Sequence, residues 1–141
     1  MSRTLIAIGL TFGLLLPVVA DDAPTQLTPE QRMEARFPQP VRVGDLIGLP
    51  VLDESRSTLA RVRQVVRTKD DKVKLVVSYG GWFGFGARLI AVPIEVVAIE
   101  GRELASVDMP RSEYARAPTW LGTGADVLPP DATIRIALGR N

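Results

Sequence analysis

Three acidic pairs are the groups most able to exchange protons: Asp21-Asp22, Asp53-Glu54 and Asp70-Asp71. Paired carboxylates act as acid and base when burial and neighbours push their pKa values apart. All three pairs fall in a polar tail or at turn positions, where water solvates both groups, so no catalytic residue is expected. The chain has no histidine and no cysteine. That rules out a Ser-His-Asp triad, a thiolate nucleophile, a disulfide framework and any His- or Cys-ligated metal. No D-x-D-x-D-G run points to calcium. The expectation is a non-enzymatic protein with no metal and no cofactor.

The run Gly80-Gly81-Trp82-Phe83-Gly84-Phe85-Gly86 invites comparison with phosphate-binding loops. Such loops need their glycines to open a helix, whose N-terminal amides hold the phosphates. Here the run leads into Arg88–Pro93, which reads as a strand, and no Gly-Lys-Ser/Thr triplet follows. Phosphate binding is not expected, and neither is a small-molecule substrate. The rings of Trp82, Phe83 and Phe85 lie within four positions. Two arrangements are open. The loop folds over one mouth of the domain and its rings plug the core, or one or two rings stay exposed as a contact patch. Arg61, Arg63 and Arg67 share one strand face and are expected to be balanced by nearby acids on a solvated surface.

The elements that carry these residues are short. Thr28-Pro29-Glu30-Gln31 is a helix start, with Thr28 as cap, Pro29 at the first helical position and Gln31 reaching back. The helix runs to about Arg36, stops before Pro38, and must dock through Met33 or Phe37 to be stable. From Val41 the chain alternates apolar runs with turn residues, an all-β texture. Strands are expected near Leu46–Leu52, Leu59–Thr68, Lys72–Tyr79, Arg88–Pro93, Val96–Ile99 and Glu103–Val107. In Lys72–Tyr79, residues Val73, Leu75, Val77 and Tyr79 form a core face, and Lys72, Lys74 and Ser78 a wet one. Val62 and Val65 are three apart, which predicts a bulge in the second strand, and Asp70-Asp71 marks a hairpin turn. Six short strands favour a small six-stranded antiparallel barrel over a sandwich, because closure removes exposed edges. Pro110–Ala117 reads as a second short helix, and Leu121–Pro130 as loop. Ala132–Leu138 is an extra strand beyond a barrel that is complete by Val107; its face of Ile134, Ile136 and Leu138 is expected to bury on the barrel near Trp120 and the Trp82–Phe85 loop, the alternative being pairing with another chain's edge.

The N-terminal segment reads as an export signal. Arg3 supplies a positive start, Leu5–Leu16 is uncharged and apolar, and Pro17 breaks the run before Val18-Val19-Ala20. Cleavage is expected after Ala20, giving a periplasmic protein. The alternative is an envelope-associated structural or stress-related protein held by an uncleaved inner-membrane anchor and facing the periplasm, since Thr4 to Ala20 offers 17 residues, the short end of the roughly 17–25 that span a bilayer. The full chain has 17 Lys+Arg against 16 Asp+Glu, and loss of Arg3 leaves the side chains balanced. Without a basic field, neither nucleic acid nor an anionic membrane is an expected partner.

Two blocks carry a family resemblance. Val41-Arg42-Val43-Gly44-Asp45-Leu46-Ile47-Gly48 with Pro50-Val51, and then Gly80 through Ala87-Arg88-Leu89-Ile90-Ala91-Val92-Pro93, resemble a PRC-barrel domain. The ending Pro118-Thr119-Trp120 is similar to one seen in many bacterial members. The resemblance covers residues 41–120, between a tail with a short helix at 21–40 and a C-terminal loop and strand at 121–141. The family includes the barrel of the photosynthetic reaction centre H subunit, with a related one in the ribosome maturation factor RimM. The resemblance implies a binding or assembly module without catalytic residues or cofactor, and an exported chain takes on neither of those two roles. The expected partner is a protein, contacted through Trp82, Phe83, Phe85, Trp120, Ile134 and Ile136, with weak self-association through the C-terminal strand. That strand is expected to be dispensable for folding of the barrel.

Overall fold

The computed structural model describes residue 13, residues 26–81 and residues 85–139. The expected signal segment and its cleavage point after Ala20, and the rings of Trp82 and Phe83, lie outside the described residues. Thr28 caps the first helix, α1 (Pro29–Glu34), as its side chain dictates: its hydroxyl accepts from the Gln31 N–H at 3.2 Å, and the Gln31 side chain accepts from the Thr28 N–H at 2.8 Å. The reciprocal pair satisfies donors that a helix start otherwise leaves open. Met33 is the buried anchor of α1, which packs on a 3₁₀ turn at Ile94–Val96 and on the last strand.

Among the described residues the sheet has nine strands: β1 (Gln39–Arg42), β2 (Pro50–Leu52), β3 (Thr58–Thr68), β4 (Val73–Tyr79), β5 (Arg88–Pro93), β6 (Val97–Glu100), β7 (Glu103–Ser106), β8 (Ala125–Val127) and β9 (Thr133–Leu138). Their hydrogen-bonded order is β1-β9-β6-β7-β2-β3-β4-β5, with β8 pairing on β3. The expected closed, six-stranded, purely antiparallel barrel does not describe this arrangement. The sheet is not closed, its ends are β1 and β5, and two of its pairs, β2 with β7 and β6 with β9, run parallel. Parallel neighbours need long crossovers rather than hairpins, and local sequence patterns do not report them.

The largest correction concerns β9. It lies between β1, with Val41 opposite Ile134, and β6, with Ala98 opposite Ala137. It is therefore an interior strand and not an appendage to a finished barrel. Ile134 and Ile136 are buried in the main apolar cluster, so neither presents a face to a partner, and β9 is bonded to β1 through Thr133–Ile136 and to β6 at Ala137 and Leu138. Of the three apolar residues expected on one face, Leu138 at the strand's end is the one that is exposed.

Three local expectations need adjusting. The strand expected at Leu46–Leu52 shrinks to β2: Leu46 ends a helical turn, α2 (Val43–Leu46), and the chain then turns at Gly48, φ 86, with the Leu49 N–H donating to the Leu46 carbonyl. The Val43 and Gly44 N–H groups donate to the carbonyls of Ala132 and Pro130, both at 2.9 Å. A side chain at Gly44 would stand 3.2 Å from the Pro130 oxygen, so glycine is what lets the two segments approach. The loop expected at Leu121–Pro130 contains β8, which takes the part of the β3 edge that β2 leaves free. On β4, Leu75 and Val77 face the main cluster as expected, yet Val76 on the opposite face is buried too.

The β3 bulge falls where the valine spacing puts it. Val62 pairs with Val77 and Gln64 with Val76, leaving Arg63 as the extra residue, and this turns both Val62 and Val65 inward. The β3–β4 turn closes through Thr68 and Lys72, with Asp71 at φ 62. The second expected helix is α3 (Arg111–Arg116), with Pro110 as its cap residue.

Candidate functional site

The β4–β5 pairing continues to Tyr79 opposite Arg88, and the glycine-rich loop begins where it stops. Gly80, Gly81 and Gly86 take φ values of 73°, 85° and 76°, a region that side chains disfavour. Gly81 is the tightest of these: a Cβ there would lie 2.7 Å from both the Ala87 nitrogen and the Phe85 oxygen. The loop backbone thus folds back on its own root, and it delivers Phe85 to the surface with 82% of the residue exposed. For Phe85 the exposed arrangement holds and the plug does not. Trp120 is half-buried, and its N–H donates to the Leu89 carbonyl at 2.7 Å along the outer edge of β5. Leu121, which the sequence reading passed over, is 80% exposed beside it.

What closes this end of the core is α3. Tyr114 is fully buried, its ring centroid 6.2 Å from that of Tyr79. The Tyr114 hydroxyl donates to Ser106 Oγ at 3.0 Å, and Ser106 donates on to the Met109 carbonyl at 2.5 Å. Burial pushes the Tyr114 phenol up, and the bond to Ser106 opposes that. A helix end leaves its last carbonyls unpaired, and α3 has no glycine there to turn the chain back on them. Arg88 supplies the donors instead: Nη2 reaches the carbonyls of Tyr114 at 3.1 Å and Ala115 at 2.7 Å, and Nη1 that of Ala117. Its guanidinium also stands 5.6 Å from the Tyr79 ring centroid, a cation–π contact. Arg88 therefore braces the loop root against α3, a role the sequence reading missed. The signal available to it was a helix ending in Ala117-Pro118 with nothing local to cap it.

The acidic pairs do turn-building work. Asp53 Oδ1 accepts from the Ser55 N–H, the Ser55 hydroxyl and the Ser57 N–H, while Oδ2 accepts from Arg111 Nη2 at 2.7 Å and Nε at 3.1 Å. Arg111 and then Ser55 hold this carboxyl far below the usual range, so it stays ionised and is a poor proton donor. Glu54 is exposed. Asp70 accepts from the Thr68 hydroxyl, which lowers its pKa, and Asp71 pairs with Arg67 at 3.4 Å. Asp21 and Asp22 lie outside the described residues. Among the described residues no three acidic side chains converge where a metal ion could be held, and no helix is long and apolar enough to cross a membrane.

The fold and this site define a small, mostly β domain, with one short helix braced across its end and an aromatic loop beside it. Residues 40–105 match the family model of the PRC-barrel domain. This stretch of the chain is a PRC-barrel domain, as the two sequence blocks led us to expect. The match stops at β7, although β9, beyond it, is hydrogen-bonded into the middle of the same sheet. No curated protein matches the chain.

Proposed function

We propose that this chain is an exported, non-catalytic PRC-barrel protein that serves in the periplasm as a protein-interaction or assembly module. The observation that carries the reading is Phe85: a large ring standing in water on a loop whose root is fixed by Gly81 and braced by Arg88. An exposed aromatic on a rigid support loses little conformational freedom when it docks, which is what a contact residue needs. Leu89 and Leu121 are exposed too, and the Trp120 backbone N–H bonds the Leu89 carbonyl on β5, the strand that follows the loop. Export rests on the order of charge, apolar run and small-residue site in residues 1–20.

A photo-reactive residue placed at position 85 of the full-length chain tests this in living cells. The control position is Val127, also exposed, which pairs with Val66 towards the opposite end of the β3–β4 hairpin. The reading expects a discrete protein adduct from position 85 and none from 127, on a chain whose intact mass begins at Asp21. Equal labelling from both positions, or none from 85, refutes the contact surface. An intact mass that begins at Met1 refutes the export reading.

A further inference from the structure

The outer face of the β3–β4 hairpin carries a groove of about 380 Å³, lined by Thr58, Arg61, Arg63, Ser78, Gly81 and Arg111 among others, none of them acidic. The expectation that nearby acids balance these arginines holds only for Arg67, which pairs with Asp71. Among the described residues neither Arg61 nor Arg63 lies within 4.0 Å of a carboxylate oxygen. Their hydrogen bonds run to neutral acceptors: Arg61 Nη1 to the Gly48 carbonyl at 2.7 Å, and Arg63 Nε to Ser78 Oγ at 3.2 Å. A guanidinium has five N–H donors, so most of theirs remain open. Arg111, which also lines the groove, is neutralised by Asp53.

We propose that this groove binds an extended acidic segment of a partner protein, with carboxylates at alternate positions on Arg61 and Arg63. This deepens the interaction-module reading and rests on it. Two arguments select a peptide. Arg61 and Arg63 both line the one groove, with Arg63 at the bulge, so they are offered together to alternate side chains of an extended chain, which point to one face. The surface is also concave, with Gly80 and Gly81 contributing no side chain to fill it, whereas a flat bilayer needs its basic residues on an open face. The Phe85 backbone returns against Gly81, which lines the groove, so the probe carries an apolar residue after the acidic ones to test whether the exposed Phe85 ring contributes.

The test is fluorescence anisotropy on the full chain. The probe is a labelled peptide with two glutamates at alternate positions followed by a phenylalanine. Saturable binding is expected, weakened by salt and weakened roughly tenfold or more both by Arg61→Gln/Arg63→Gln and by replacing the glutamates with glutamine. Both arginines are exposed, so an unchanged melting temperature shows that the variant is folded. Absence of saturable binding, equal binding of the glutamine peptide, or phosphatidylglycerol vesicles binding through these arginines in place of the peptide overturns the proposal. The two readings fail separately. A partner crosslinked at position 85 as well in the double variant as in the natural chain sinks the groove alone. No partner at 85 alongside peptide binding sinks the Phe85 surface alone.

Discussion

Replacing Ile136 with alanine tests whether β9 belongs to the sheet. Ile136 is 0% exposed and sits opposite Gln39 of β1, inside the main cluster. The substitution removes three carbon groups at about 0.8 kcal/mol each, roughly 2.4 kcal/mol of transfer free energy. The cavity left in a packed interior adds to this, which places the loss at about 3–4 kcal/mol, within the range of about 2–5 for such truncations. Leu138→Ala is the internal control, with similar chemistry on the same strand at a residue that is 42% exposed. It should cost less than about 1 kcal/mol. In urea, a loss of about 3 kcal/mol against a slope of about 1–3 kcal/mol/M moves the midpoint by about 1–3 M, well outside the scatter of the method. Deletion of residues 132–139 should unfold the protein altogether, since it strips β1 of its partner and opens the β6 edge. Equal, small shifts for Ile136→Ala and Leu138→Ala would refute the placement of β9 and restore the picture of a dispensable tail.

Three further outcomes follow from the braces around α3 and α1. Arg88→Met keeps the aliphatic stem but strips three carbonyls of their charged donors, and should cost about 2 kcal/mol, seen as a lower melting temperature and faster amide exchange confined first to α3. Gly81→Ala meets both a positive φ and a backbone contact at 2.7 Å, while Gly80→Ala meets only the positive φ. The first should therefore lose clearly more stability than the second, whose cost is about 1–2 kcal/mol. Asp108 is held below its ordinary value of 3.8, chiefly by Arg36, whose Nη1 is 2.7 Å from its carboxylate, and then by Arg32. Because the unfolded chain takes up this proton first as pH falls, stability declines once pH drops through about 4 and continues to decline until the folded carboxylate is itself protonated. Asp108→Asn should flatten that acid limb in pH-dependent urea titrations, and an unchanged limb would show that the pair contributes nothing.

Elements fixed by near neighbours were legible in the sequence, and elements fixed by distant ones were not. The Thr28 cap, the bulge between Val62 and Val65, the Asp70-Asp71 turn and the bounds of β5 all depend on residues a few positions apart, so their patterns are local. β1 has four residues including Pro40, and β8 has three inside a stretch rich in glycine and proline. Segments so short have no period to read and exist because β9 and β3 offer them an edge. The Val43–Leu46 turn was not legible for the same reason: its first N–H groups go to the carbonyls of Ala132 and Pro130, far along the chain. At the candidate site, aromatic content was visible but exposure was not. Whether Phe85 plugs or protrudes depends on Gly81 packing against the loop's own return, a contact no composition records.

The groups at this end of the molecule are coupled through α3. Its N-terminal Arg111 locks Asp53 and lines the arginine groove, its buried Tyr114 ties it to Ser106 on β7, and its last carbonyls hold Arg88 at the foot of the glycine-rich loop. Six residues of helix thus set the position of the groove and of Phe85 together. A helix this short has little intrinsic stability, so its geometry is only as firm as those three attachments. Loss of any one should loosen the loop as well as the helix. Arg88→Met can therefore weaken contacts at Phe85 without touching the ring, and amide exchange in the loop should rise together with that in α3. If α3 loosens while the loop stays protected, the loop is held by Gly81 alone and the two halves of the surface are independent.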